Sequence, residues 1–123
     1  DPVLVEAARQ DHPGPRWLVA DLSELDLAAA GHPEPFDAAV VAGNVMVFVA
    51  PGTERAVLER LRRHLVDDGA AVLGFATGRG YEPADLERDA VAAGFRPEHR
   101  FATWHLRPWH DDADFVVAVL RAV

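Results

Sequence analysis

The sequence predicts an α/β protein whose sheet is mostly parallel, covered by helices and closed by a C-terminal antiparallel hairpin. Three observations predict it. Two apolar runs, Phe36 to Ala42 (FDAAVVA) and Ala70 to Ala76 (AAVLGFA), are each followed by residues at helical spacing. Both runs are almost continuously apolar, the pattern of strands covered on two faces rather than one. The chain then closes on two strand-like segments, roughly 98–107 and 114–122, joined by a polar turn. Strands alternating with helices require crossover connections and hence parallel neighbours, whereas a final hairpin adds antiparallel pairing at the edge.

The elements follow in order. Asp1 and Pro2 form a helix-start signal, an N-cap carboxylate before a proline whose missing N–H would be unpaired anyway. Leu4, Ala7 and Ala8 share one face, so residues 2–10 read as a short amphipathic helix, broken by His12-Pro13-Gly14-Pro15. Arg16 to Ala20 (RWLVA) reads as a strand ending at Asp21, and residues 22–35, with Ser23, Gly31, Pro33 and Pro35, as a loop with about one helical turn. The run at Phe36 stops at Gly43-Asn44, and a second apolar patch, Val45 to Val49, follows. Pro51-Gly52-Thr53 opens a helix carrying Val57, Leu58, Leu61 and Leu65 inward and Glu59, Arg62 and Arg63 outward, which Gly69 ends. Glu82-Pro83 opens another, with Leu86, Ala90 and Ala93 inward and Gly94 as its C-terminal glycine.

The 123 residues are read as one domain, 1–123, with room for a single core. A net charge of −8 argues against broad nucleic-acid binding, because phosphate recognition needs clustered cations. No apolar stretch reaches the roughly 18–20 residues that span a bilayer, so a membrane partner is not expected. Without cysteine there is neither a disulfide nor a thiolate ligand, which fits a cytoplasmic protein. All twelve cations are Arg, and Lys and Ile are absent; that bias points to a GC-rich coding sequence and a bacterial source. The chain opens at Asp1, directly on its helix-start signal, and further residues are expected upstream.

Open α/β sheets bind ligands beyond the C-terminal ends of their strands. The positions to inspect are therefore Asp21-Leu22, Gly43-Asn44 and Thr77-Gly78-Arg79-Gly80. A carboxylate just past an apolar strand accepts from an exocyclic amine while the next backbone N–H offers the opposite polarity; the competing reading is an Asp that caps the following turn. Gly43 suits close backbone approach, or simply terminates its strand. The polar segment containing His105, His110, Asp111 and Asp114 has metal-ligating residue types, but alternation along a hairpin sends neighbours to opposite faces, so a solvated turn is the preferred reading. His105 or His110 as a general base is the lesser alternative. Arg60, Arg62, Arg63 and His64 read as a solvated helix face paired with Glu59, Asp67 and Asp68. Tyr81 and Trp104 are candidates for an acceptor pocket or for core.

These strand ends carry a resemblance. DPVLVEAAR at 1–9, VADL at 19–22, FDAAVVAGNVMVFV at 36–49, LVDDGAAVLGF at 65–75 and VAAGF at 91–95 resemble, in order, the C-terminal part of class I S-adenosylmethionine-dependent methyltransferases. The resemblance implies a Rossmann-like sheet lacking the family's first two strands, together with its glycine-rich loop and ribose-binding acid. It implies S-adenosylmethionine as cofactor, leaving S-adenosylhomocysteine as product. Asp21 would meet the adenine amine by side chain and Leu22 the ring nitrogen by backbone. Ala42 and Gly43 would face the methionine moiety, with Asn44 and Val45 beside it. No Asn-Pro-Pro-Tyr type of motif is present, because Val45 follows Asn44, which disfavours adenine or glutamine-amide acceptors. The expected acceptor is a small molecule or a protein side chain. Two alternatives stand beside this reading. One is a non-catalytic fragment or binding module that self-associates through the exposed edge of FDAAVVA. The other is a nicotinamide-dependent oxidoreductase of the same layered fold, for which no dinucleotide fingerprint occurs.

Overall fold

In the computed structural model, which describes every residue from Asp1 to Val123, helix α1 spans Pro2–Asp11. The Asp1 carboxylate accepts from Val3 N–H at 2.7 Å and Leu4 N–H at 3.3 Å, as the helix-start signal requires. No residue of α1 is buried, however, and Val3 and Leu4 are 77% and 70% exposed. The helix forms where its sequence places it, but none of its apolar residues is fully buried within the chain.

Residues 16–20 depart from expectation: they form no strand. A strand exists only through a ladder to a neighbour, and none is offered to this segment. It is tied to α1 instead, with Arg9 Nη2 donating to Trp17 O and Trp17 Nε1 donating to His12 O, both at 2.9 Å. A 3-10 turn, Leu22–Glu24, follows.

The remaining chain supplies β1 (Phe36–Val41), α2 (Val45–Phe48), α3 (Glu54–Arg63), β2 (Leu65–Ala76), α4 (Pro83–Ala93), β3 (Phe95–Phe101) and β4 (Phe115–Ala122). The sheet order is β1-β2-β4-β3, with β1 parallel to β2 and β4 antiparallel to both β2 and β3. Three strands therefore run the same way and β4 alone is reversed, the mixed α/β sheet that the alternation predicted.

Three boundaries shift, each for a local reason. The apolar patch at Val45 becomes a helical turn, because Gly43 (φ 78°) and Asn44 (φ 62°) both adopt left-handed backbone and turn the chain off the sheet. Gly69 does not end a helix: α3 stops at Arg63, with His64 as its cap, and β2 begins at Leu65. Phe36 pairs with Leu65 and Ala38 with Ala70, so residues 66–69 bulge out. Gly69 is required there, since a Cβ would stand 2.9 Å from Val66 O and 3.1 Å from Asp37 O. The first closing strand begins and ends earlier than predicted, at Phe95 and Phe101, the second falls where expected, and residues 102–114 form the connection.

One face of the sheet carries the core. Ala71, Leu73 and Phe75 from β2 and Val116, Ala118 and Leu120 from β4 pack with Val57, Leu58 and Leu61 of α3 and Leu86, Ala90 and Ala93 of α4. Each fully buried Leu or Phe contributes about 2 kcal/mol. Helix α4 is fixed at both ends, by a capping box between Glu82 and Asp85 and by Gly94 at φ 96°. The opposite face has less cover. There the Trp104 ring lies across Gly74, at 2.3 Å from where a Cβ would be. Val40 of β1 is 67% exposed.

Candidate functional site

Parallel strands deliver their C-terminal ends to one edge, and β1 and β2 bring Ala42–Asn44 and Thr77–Gly80 there together. Asn44 joins the two ends: its Oδ1 accepts from Ala76 N–H at 2.7 Å. A side-chain amide thereby occupies the backbone donor that would otherwise be orphaned where β2 leaves β1. Ala42 and Gly43 are exposed, and nothing lies within 4 Å of the position a Gly43 Cβ would take. Their backbone is thus open to close approach by a ligand. Val45 packs against the core and starts α2.

Asp21 and Leu22 stand at the 3-10 turn. Asp21 Oδ1 accepts from Ser23 N–H at 2.9 Å and from Ser23 Oγ at 2.7 Å. The Ser23 hydroxyl and then its amide hold the Asp21 carboxyl below the usual carboxylate range. The capping reading of Asp21 therefore describes Oδ1, whereas Oδ2 takes no hydrogen bond and the side chain is exposed. Leu22 packs its side chain against the core, and Glu24 N–H closes the turn onto Asp21 O at 3.1 Å. The Leu22 N–H has no acceptor within that turn. One free carboxylate oxygen beside one free amide has the donor–acceptor polarity of an adenine edge, so these residues fit the group that the resemblance implies.

A cleft of about 370 Å³ beside Asp21 is lined by Leu18, Val19, Ala20, Leu25 and Ala29, among others. Ala42–Val45 do not line it. Asp21 and the Ala42–Val45 segment thus do not line one cleft together.

The other candidates resolve differently. Tyr81 is core: it is 6% exposed, lies 5.7 Å from the Phe75 ring, and donates to Asp89 Oδ2 at 3.1 Å. Burial and the adjacent Asp89 carboxylate push its phenol far above the usual range. Asp89 also accepts from Arg55 Nε at 3.2 Å and Nη2 at 3.0 Å, which joins α4 to α3. Sequence reasoning missed Asp89, although it lies between Leu86 and Ala90 on the inward side of α4, where an unpaired carboxylate is not tolerated.

His105, His110, Asp111 and Asp114 do not converge, and no three His, Asp or Glu side chains are grouped to hold a metal. Their loop is pinned instead to the end of β2: Thr77 N–H donates to Asp114 O at 3.0 Å and Thr77 Oγ1 to Ala113 O at 2.8 Å. A shallow depression beside it is lined by Thr103, Arg107, His110, Asp112 and Asp114.

The basic run is not simply a solvated face. Arg62 reaches Leu65 O at 3.2 Å, Val123 O at 2.7 Å and Asp67 at 2.6 Å, while Arg60 and His64 contact the segment after Asp21. No helix is long and apolar enough to cross a membrane.

No protein-family profile matches the chain, and no curated protein is similar to it. Solved structures are. A TehB-like S-adenosylmethionine-dependent methyltransferase from Corynebacterium glutamicum is 38% identical, with a TM-score of 0.91, over 100% of this chain and 65% of its own. The CcbJ methyltransferase from Streptomyces caelestis is 17% identical, with a TM-score of 0.78, over 98% and 74%. CalS10 from Micromonospora echinaspora, an amino pentose methyltransferase solved with S-adenosylmethionine, is 15% identical, with a TM-score of 0.75, over 99% and 71%. The last two are likenesses of fold; the first is one of sequence as well, and this chain spans slightly under two thirds of that protein. By fold, and by sequence likeness along its whole length, the chain is similar to S-adenosylmethionine-dependent methyltransferases.

Proposed function

We propose that the full-length protein transfers a methyl group from S-adenosylmethionine to a small-molecule or protein acceptor. The observation that carries this is the 38% identity to the Corynebacterium methyltransferase, with every strand of this chain's sheet inside the match. When bound, S-adenosylmethionine supplies a methyl group on a positively charged sulfonium. This chain's residues bind and orient. Asp21 Oδ2 accepts from the adenine amine, Leu22 N–H donates to the ring nitrogen, and the exposed backbone at Ala42 and Gly43 admits the methionine moiety. Asn44 and Val45 stand beside it. Asn44 is a positioning residue here, because its side-chain oxygen is committed to Ala76 N–H. Alignment of an already nucleophilic acceptor accounts for most of such a transfer, so no general base is assigned. The amino pentose acceptor of the Micromonospora protein supports a small-molecule acceptor class. A cytoplasmic, bacterial setting belongs to the same reading, on the cysteine-free and Lys-free composition.

Asp21→Ala should weaken S-adenosylhomocysteine binding to the full-length protein by at least about fivefold, the effect of losing one hydrogen bond to a ligand. Unchanged affinity in titration calorimetry would sink the assignment of Asp21. Heat evolved on adding NAD but not S-adenosylmethionine would replace the methyltransferase reading with an oxidoreductase.

A second reading concerns the 123 residues taken alone. A groove bounded by Arg16, Leu18 and Phe36 separates the segment before Asp21 from β1, and β1 presents an unpaired edge. That edge supports self-association of this chain by strand pairing.

A further inference from the structure

The segment leaving Leu22 is fastened to α3 at two points one helical turn apart. Arg60 Nη1 reaches Leu25 O at 3.5 Å, and the His64 imidazole makes the stronger link. His64 Nε2 accepts from Leu27 N–H at 3.0 Å, while Nδ1 lies 2.6 Å from Arg60 O. A carbonyl only accepts, so Nδ1 carries the hydrogen and donates to Arg60 O. A backbone amide only donates, so Nε2 must present its lone pair to Leu27. Both ring nitrogens are therefore assigned by their partners, and the imidazole satisfies both only when neutral. A proton on Nε2 would set one N–H against another and open the link to Leu27.

We infer that His64 is a positioning residue for the Asp21–Leu22 edge, latching the segment behind it to α3 in the neutral state and releasing it when protonated. The inference rests on the adenine reading of Asp21 and Leu22. Its consequence follows from the geometry: Leu22 meets the core in the turn that precedes the latched segment. Loss of the Leu27 anchor frees that turn to move, and the ordering cost then falls on cofactor binding. Charged groups of both signs face the imidazole: His64 shares a cavity of about 210 Å³ with Asp26, Glu34, Arg60 and Arg63. His32 lines the same cavity and contacts Arg16, so its own titration has to be removed from the experiment.

The test uses the full-length protein in the His32→Asn background, titrated across about pH 8.5 to 5, the span in which histidines ordinarily change charge. Nitrogen-15 spectra should show His64 as the Nδ1–H tautomer at the alkaline end. Protection of the Leu27 amide from hydrogen exchange should fall as the imidazole protonates. Affinity for S-adenosylhomocysteine should fall about fivefold over the same range. His64→Gln, whose amide offers one donor and one acceptor without titrating, should flatten the dependence and keep the alkaline affinity. His64→Ala should show the acidic affinity at every pH. An Nε2–H tautomer, or Leu27 protection that ignores both pH and the His64 variants, overturns the latch. Protection that responds while affinity does not overturns the positioning role. If Asp21→Ala still weakens binding in that case, the adenine reading survives; if neither variant matters, both fail.

Discussion

At the scale of single residues, the same chemical group serves the fold at one position and is open to a ligand at another. Asp89 and Asp21 are both carboxylates beside apolar segments, but Asp89 has its oxygens taken by Tyr81 and Arg55 whereas Asp21 keeps Oδ2 free. Only the second has capacity left for an external partner. Asp89→Ala should lower stability by about 1–3 kcal/mol, because the buried Tyr81 hydroxyl loses its acceptor and Arg55 its tie to α4. Urea unfolding checks this; a loss below about 0.5 kcal/mol, the range of an ordinary surface change, would mean that the pair contributes little. The end of β1 was legible in the sequence, since an apolar run stopping at Gly43 marks an edge without any coordinates, whereas the run stopping at Asp21 forms no strand. Asp89 was not, because helical periodicity identifies an inward position but not which partner from another helix meets it there. The same limit hid His64, whose partners Leu27 and Arg60 come from two different elements.

Between elements, β3 and β4 show how a local irregularity organises charge. Arg96 and Arg121 stand directly opposite each other, an unfavourable pairing, and the register slips between Pro97 and His99. The slip places Glu98 against both: Arg121 donates to it through Nε and Nη2, each at 3.0 Å, and Arg96 lies 3.7 Å away. The Arg121 hydrogen bonds hold the Glu98 carboxyl below its ordinary range. A carboxyl depressed in the folded state adds stability that is fully present above its unfolded value, about 4.3. That stability is lost as pH falls through the folded value. Thermal unfolding should therefore shift to lower temperature below about pH 4.3, and Glu98→Gln should lower stability in the neutral region and make that acid limb shallower. An acid limb of equal steepness in the variant would remove Glu98 from the account. The existence and order of these strands were readable from alternation and the polar connection; the slip was not, since register depends on the partner strand. The segment 16–20 failed in the opposite sense. Its composition is that of a strand, but composition specifies a preference and only a neighbour's ladder realises it.

For the molecule as a whole, the two outer strands of the sheet differ in how they meet solvent. At the β3 edge, Pro97, a register slip and four charged or titratable residues, Arg96, Glu98, His99 and Arg100, oppose pairing with another chain. β1 has no such defence: Phe36, Ala38 and Val40 are exposed along it, with Asp37 its single charge. The apolar character of FDAAVVA made that edge visible in the sequence, because a run suited to burial on both faces needs neighbours on both sides. In this chain it has one, β2. Two copies brought edge to edge about a twofold axis would pair β1 with β1 antiparallel, completing the ladders of both and covering Phe36 and Val40. The 123-residue chain should accordingly show a mass in light scattering that rises with concentration. Val40→Arg would place a charge on the apolar strip that the pairing covers, the means by which edge strands resist other chains. That variant should remain monomeric at every concentration while keeping the wild-type circular dichroism, since Val40 contributes little to the core at 67% exposure. If the wild-type chain is instead a monomer throughout, the free edge is insufficient to drive assembly; if Val40→Arg assembles as well, the contact lies on another surface, of which the uncovered Val3 and Leu4 face of α1 is the next to probe.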